Sequence, residues 1–156
     1  FVLTATNVIE MQMSCGSFSN GIIKLAFTPE YFPQDLYETY NGPLFYTEVK
    51  YENSSQLVFD LVRQWGVRSN RQWVAASHFN TYDPAKTITF QVGPSTAKVY
   101  YGSTCIINTT HGTNALYVYP QGAYPHYEYQ NEDDTDNAVS ALDNVRVRRL
   151  SGFEAP

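Results

Sequence analysis

Apolar residues recur along this chain mostly at every second position, in short runs closed by turn-forming residues. That is the spacing of strands half-buried in a sheet. Val8-Ile9-Glu10-Met11-Gln12-Met13 partly alternates, and Asn20-Gly21 after Ser17-Phe18-Ser19 is a strong two-residue hairpin signal. With 22–27 as the returning strand, the two segments are expected to pair as a β-hairpin. Between Thr28 and Pro43 the pattern breaks at Pro29, Pro33, Asn41 and Gly42, which predicts a long loop with a short helical turn around Gln34 to Tyr37. Further strands are expected at 44–50, 56–63, 73–79, 87–92, 97–101, 104–108, 115–119 and 140–149. Within 56–63, Leu57, Phe59 and Leu61 fall on one face and Val58, Asp60 and Val62 on the other.

Consecutive short strands with no helical stripe and no crossover helices predict an all-β fold with antiparallel pairing, a two-sheet β-sandwich of jelly-roll type. The 156 residues suit a single domain spanning 1–156, large enough to bury a core without metal or many disulfides.

Composition narrows the function. Aromatics make up 15%, with 13 tyrosines and nine phenylalanines, while charged residues are only 16% against a usual share of about 25%. The net charge is −5 and no basic stripe runs along the chain, which argues against nucleic-acid binding. Arg146, Arg148 and Arg149 form one basic cluster, spaced like a dibasic processing site, but the alternating valines place it on a strand with its arginines in solvent. No apolar run approaches the roughly 18 residues that span a bilayer. The chain opens Phe-Val-Leu-Thr and reads as a mature chain or an excised fragment of an extracellular or surface-displayed protein. Asn53-Ser54-Ser55 and Asn108-Thr109-Thr110 match the N-glycosylation acceptor pattern, which makes Asn53 and Asn108 candidate glycosylation sites. Cys15 and Cys105 could pair in an oxidising compartment and tie an early strand to a late one, or stand as two separate buried thiols.

Two segments carry a family resemblance. Thr87-Ile-Thr-Phe-Gln-Val-Gly-Pro-Ser-Thr-Ala-Lys-Val-Tyr-Tyr-Gly102 resembles the paired strands of laminin-G-like and galectin-like sandwiches. Ala141-Leu-Asp-Asn-Val-Arg-Val-Arg-Arg149 looks like the last strand of extracellular jelly rolls, MAM domains and carbohydrate-binding modules among them. In those domains this strand returns to pair near the N-terminus, so the resemblance implies the same closure here. The galectin sugar signature is not reproduced. Gln64-Trp65-Gly66-Val67-Arg68 approaches its Trp-Gly element but lacks the acidic residue, so the resemblance supplies no site residue.

Candidate chemistry is aromatic. Tyr117, Tyr119, Tyr124, Tyr127 and Tyr129 surround His126, and a loop is expected from Pro120 to Pro125, where binding residues often sit. Trp65 and Trp73 stand among Arg63, Arg68 and Arg71, a combination that stacks on sugar rings or anchors interfaces, unless both indoles are core residues. The candidate ligand-binding set is therefore Trp65, Arg68, Trp73, Tyr124 and Tyr127. Asp133, Asp134 and Asp136 offer closely spaced oxygen ligands for calcium, or a solvated acidic loop. Ser77, His78 and Asp83 could be drawn as a triad, and Glu48 with Glu52 or Asp60 as paired carboxylates, but neither set carries a recognisable pattern. The three histidines lack metal-ligand spacing. These features together predict a non-catalytic recognition or adhesion module that binds glycan or protein through aromatic loop residues. The alternative is a structural subunit, a viral capsid or spike domain or a filament building block, that assembles through the same surfaces.

Overall fold

The computed structural model describes residues 8–18, 21–28, 43–65, 71–110, 124–130 and 140–156. Ten strands lie among them: β1 (Val8–Phe18), β2 (Ile22–Thr28), β3 (Pro43–Tyr51), β4 (Gln56–Trp65), β5 (Arg71–Thr81), β6 (Thr87–Val92), β7 (Thr96–Tyr101), β8 (Thr104–Thr110), β9 (Tyr124–Gln130) and β10 (Ser140–Leu150). They build two five-stranded sheets, β10-β1-β6-β7-β8 and β5-β4-β3-β2-β9, with every pairing antiparallel. This is the two-sheet sandwich of jelly-roll type that the alternation predicts. The returning last strand is also found, since β10 pairs with β1 from Val8↔Leu150 to Phe18↔Ser140.

The period of two puts one face of each sheet into a shared core. Ile9, Met11, Met13, Ile88, Phe90, Val92, Ala97 and Val99 face Ile23, Leu25, Phe27, Phe45, Val49, Leu57, Phe59 and Leu61. Aromatic rings lock the layers together. Phe90 of the first sheet lies 5.5 Å from Phe27 and 5.7 Å from Phe45 of the second, and Phe59 lies 5.2 Å from Tyr101. Burial pushes the Tyr101 phenol up to about 12, while its oxygen accepts the Asp83 backbone N–H at 2.7 Å.

The expected hairpin of 8–13 with 22–27 does not form. The two strands belong to opposite sheets. Their apolar sides meet across the core, so they are facing layers and not neighbours. The outward side of β1 explains its choice of partners. Glu10 accepts from Gln91 of β6 at 2.7 Å and from Arg148 of β10 at 2.7 Å, and Gln12 accepts from Arg146. Gly21, just before β2, has a φ of 97° that suits glycine, and β2 lies in the other layer from β1.

Residues 151–156 fold back over the outer face of the first sheet. The Phe153 ring packs on Gly93, where a Cβ would stand 2.8 Å from it, and the Lys98 ammonium lies 4.8 Å over that ring. Glu154 takes the Gln91 amide on its carbonyl at 2.7 Å and sits 3.6 Å from Arg148.

The disulfide expected between Cys15 and Cys105 is corrected by this topology. Cys105 is a free, exposed thiol, which also overturns the alternative of a buried one. β6 and β7 stand between the strands that carry the two residues, a separation of roughly 14 Å at normal strand spacing. A bridge needs Cα atoms within about 7 Å. The segment expected to be a strand at 115–119 and the long loop with its helical turn at 34–37 lie outside the described residues.

Candidate functional site

The outer face of the second sheet carries what a solvent-facing sheet surface normally lacks, a row of buried charges. Register places Lys24 of β2 beside Glu48 of β3, and Glu48 beside Asp60 of β4. The next row runs Ala26, Tyr46, Val62 and Trp73 across β2 to β5, and Gln64 pairs with Arg71 beyond it. Lys24 is fully buried, and Glu48 and Asp60 are 3% and 8% exposed. Charges so placed persist only with partners. Arg71 reaches over β4 to place its Nη1 3.8 Å from Glu48 Oε2, and its guanidinium lies 4.8 Å over the Trp73 ring. The Lys24 ammonium sits 5.8 Å from the Tyr46 ring centre, and the Tyr46 hydroxyl donates to Gln64 Oε1 at 3.4 Å. Above this polar floor Trp73 is 56% exposed. It is therefore no core anchor, and its indole is held by Arg71 from one side.

Burial pushes the Asp60 carboxyl above its ordinary value of 3.8, and the neighbouring Glu48 adds to the rise. A carboxyl raised by folding weighs against the fold once it ionises. Its stabilising contribution is complete below 3.8 and lost as pH climbs through the raised value. Asp60→Asn is therefore expected to raise the melting temperature at pH 7 by about 2–4 °C, with no gain at pH 3.5, as read by thermal denaturation at the two pH values.

The triad drawn from Ser77, His78 and Asp83 is not assembled. Ser77 exchanges contacts with Asn80 at 3.2 Å, His78 Nδ1 pairs with Glu52, and Asp83 Oδ1 caps the Ala85 N–H at 2.9 Å. The His78 hydrogen bond is the main cause holding the Glu52 carboxyl below its ordinary range. The same carboxylate accepts the Phe79 N–H at 2.8 Å. Phe79 is 65% exposed with a φ of 60°, a strained conformation for a bulky residue, at a break in the β4–β5 register.

The remaining expected site residues are distributed as follows. Tyr124 and Tyr127 do not lie on a loop. They belong to β9, the edge strand paired with β2, and their side chains lie outside the described residues. Continuous antiparallel register with β2 over all seven residues explains the strand, Pro125 being tolerated at a sheet edge. Trp65 ends β4, with its side chain also outside the described residues, as are Arg68 and the acidic run at Asp133, Asp134 and Asp136. Asn53 is exposed in the β3–β4 turn, where its Oδ1 accepts the Ser55 and Gln56 N–H groups, and Asn108 is exposed on β8. Reading along the sequence missed Lys24, Tyr46 and Gln64. Each sits on an alternating strand as an ordinary outward residue, and only cross-strand register gathers them.

No protein-family model matches the sequence, and no curated protein shows significant similarity to it. Solved structures share its fold. A carbohydrate binding module, CBM66, from Bacillus subtilis superposes with a TM-score of 0.55 at 10% identity, over 92% of this chain and 75% of that one. Sheep galectin-11 gives 0.54 at 11% identity over 95% and 93%, and a glycosidic hydrolase gives 0.53 at 16% over 97% and 67%. At such identities the likeness establishes the jelly-roll sandwich and nothing finer.

Proposed function

We propose that this chain is a glycan-recognition module whose ligand lies on the outer face of the second sheet, over Trp73. The observation that carries the reading is Trp73 itself, a more than half-exposed indole with the Arg71 guanidinium 4.8 Å over its ring, that guanidinium lying 3.8 Å from the buried Glu48. A sugar ring offers one apolar face and a rim of hydroxyls. An indole matches the first and the Arg71 guanidinium beside it the second, while the buried Glu48 holds that guanidinium in place. The fold shared with a carbohydrate binding module and a galectin supports this reading. Such a module works outside the cell or on its surface, where Asn53 and Asn108 are accessible acceptors. A glycan array followed by calorimetry on the hits tests the proposal. Saturable binding of an oligosaccharide is expected. Binding to no glycan, with self-association that buries Trp73, would instead favour the structural-subunit reading.

A second reading rests on Glu48 and Asp60. Register sets Glu48 directly opposite Asp60 on neighbouring strands, so their carboxyls are close neighbours, as in a retaining glycosidase. Burial raises the Asp60 carboxyl, the direction a general acid needs. The glycosidic hydrolase of like fold makes the test direct. On this reading reducing ends are released from β-linked polysaccharides and the release disappears in both Glu48→Gln and Asp60→Asn. Absence of release from the wild-type chain would remove it.

A further inference from the structure

The opposite face of the sandwich carries a cationic cleft of its own. Two adjoining hollows, of about 330 and 350 Å³, share Gln12, Thr87 and Arg146 as walls. Ser14 completes one, and Lys86, Ser103 and Pro156 help line the other. Among the described residues, the charged side chains on these walls are both cations, Lys86 and Arg146.

The two arginines of β10 that point to this face differ in their neutralisation. Arg148 pairs with Glu10 at 2.7 Å and lies 3.6 Å from Glu154. Among the described residues Arg146 donates to the neutral Gln12 Oε1 and pairs with no carboxylate. That bond leaves the Gln12 amide NH2 as a further donor. Lys86 lies 5.0 Å over the Tyr101 ring, and the nearby Asp83 carboxylate is occupied with the Ala85 N–H. A guanidinium with no carboxylate partner among the described residues, an ammonium, an amide and three hydroxyls thus line this cleft in a chain of net charge −5.

We infer that this cleft binds the anionic group of an acidic saccharide, a uronate carboxylate or a sulfate ester. The planar guanidinium fork matches either oxyanion, and Lys86 adds a point charge. The hydroxyls and amide suit the sugar's own hydroxyls, and a bare ion would leave most of such a hollow empty. The site lies on the first sheet, away from Trp73, so it stands or falls independently of the proposed glycan face.

Nuclear magnetic resonance titration of the full chain with glucuronate, glucose 6-sulfate, inorganic sulfate and glucose tests the assignment. Glucuronate or the sulfated sugar is expected to shift the Gln12, Thr87 and Arg146 signals, with glucose leaving them in place. Affinity should fall about tenfold or more in Arg146→Gln, less in Arg146→Lys, and weaken with added salt. Trp73→Ala should leave it unchanged. Arg146 is exposed, so its variants are expected to fold, which the unchanged spectrum elsewhere would verify. No shift at these residues with either acidic sugar would overturn the assignment, as would equal affinity in Arg146→Gln. Shifts from inorganic sulfate alone would overturn the saccharide part.

Discussion

Trp73→Ala is expected to weaken glycan binding about thirtyfold, a loss of roughly 2 kcal/mol, while leaving the melting temperature within about 2 °C of the parent. The first figure is typical of a central aromatic anchor. The second follows because the indole is more than half exposed and fills no core space. The separation of the two effects is what identifies a binding residue. Arg71→Ala should lower both, because it takes the guanidinium from the indole and also removes one of the cations, beside Lys24, that neighbour the buried Glu48. Calorimetric titration with the best array ligand, beside thermal melts, measures both quantities. Unaltered affinity in Trp73→Ala would move the site off this face.

Phe90→Ala should be the most damaging single change in the described core. Its ring touches Phe27 and Phe45 across the sandwich, and all three are buried. Emptying that space costs about 3–5 kcal/mol, against a total stability of about 5–15 kcal/mol. For a chain of this length the melting temperature should fall by roughly 10 °C. Urea unfolding gives the free energy directly. A loss below about 1 kcal/mol would mean that the two sheets are not packed through this ring.

Strand identity was legible because it is local. Alternation at 56–63 and 87–92 reports which side chains can share a face, and those strands form where the spacing puts them. Layer assignment was not, because β1 and β2 have equally apolar sides. Their partners are decided by Glu10 and Gln12 meeting Gln91, Arg146 and Arg148, residues as much as 138 positions away. β9 was hidden by Pro125, which signals a loop wherever the edge of a sheet is not known. The polar row on the second sheet was illegible for a related reason. Glu48 and Asp60 had suggested paired carboxylates, yet nothing in their spacing told that β3 and β4 would set them face to face or that Lys24 would complete the row. Trp73 was singled out by residue type alone, with its exposure undecided until the β4–β5 register was known.

The marriage of Val8 to Leu150 has a consequence for biosynthesis. Until residues 140–150 have been made, β1 lacks its β10 partner on one flank and Glu10 lacks Arg148. Closure of that pairing therefore waits for residues 140–150, and such distant pairing makes the step slow. Translation stalled before residue 140 should yield a product that chaperones hold and proteases degrade.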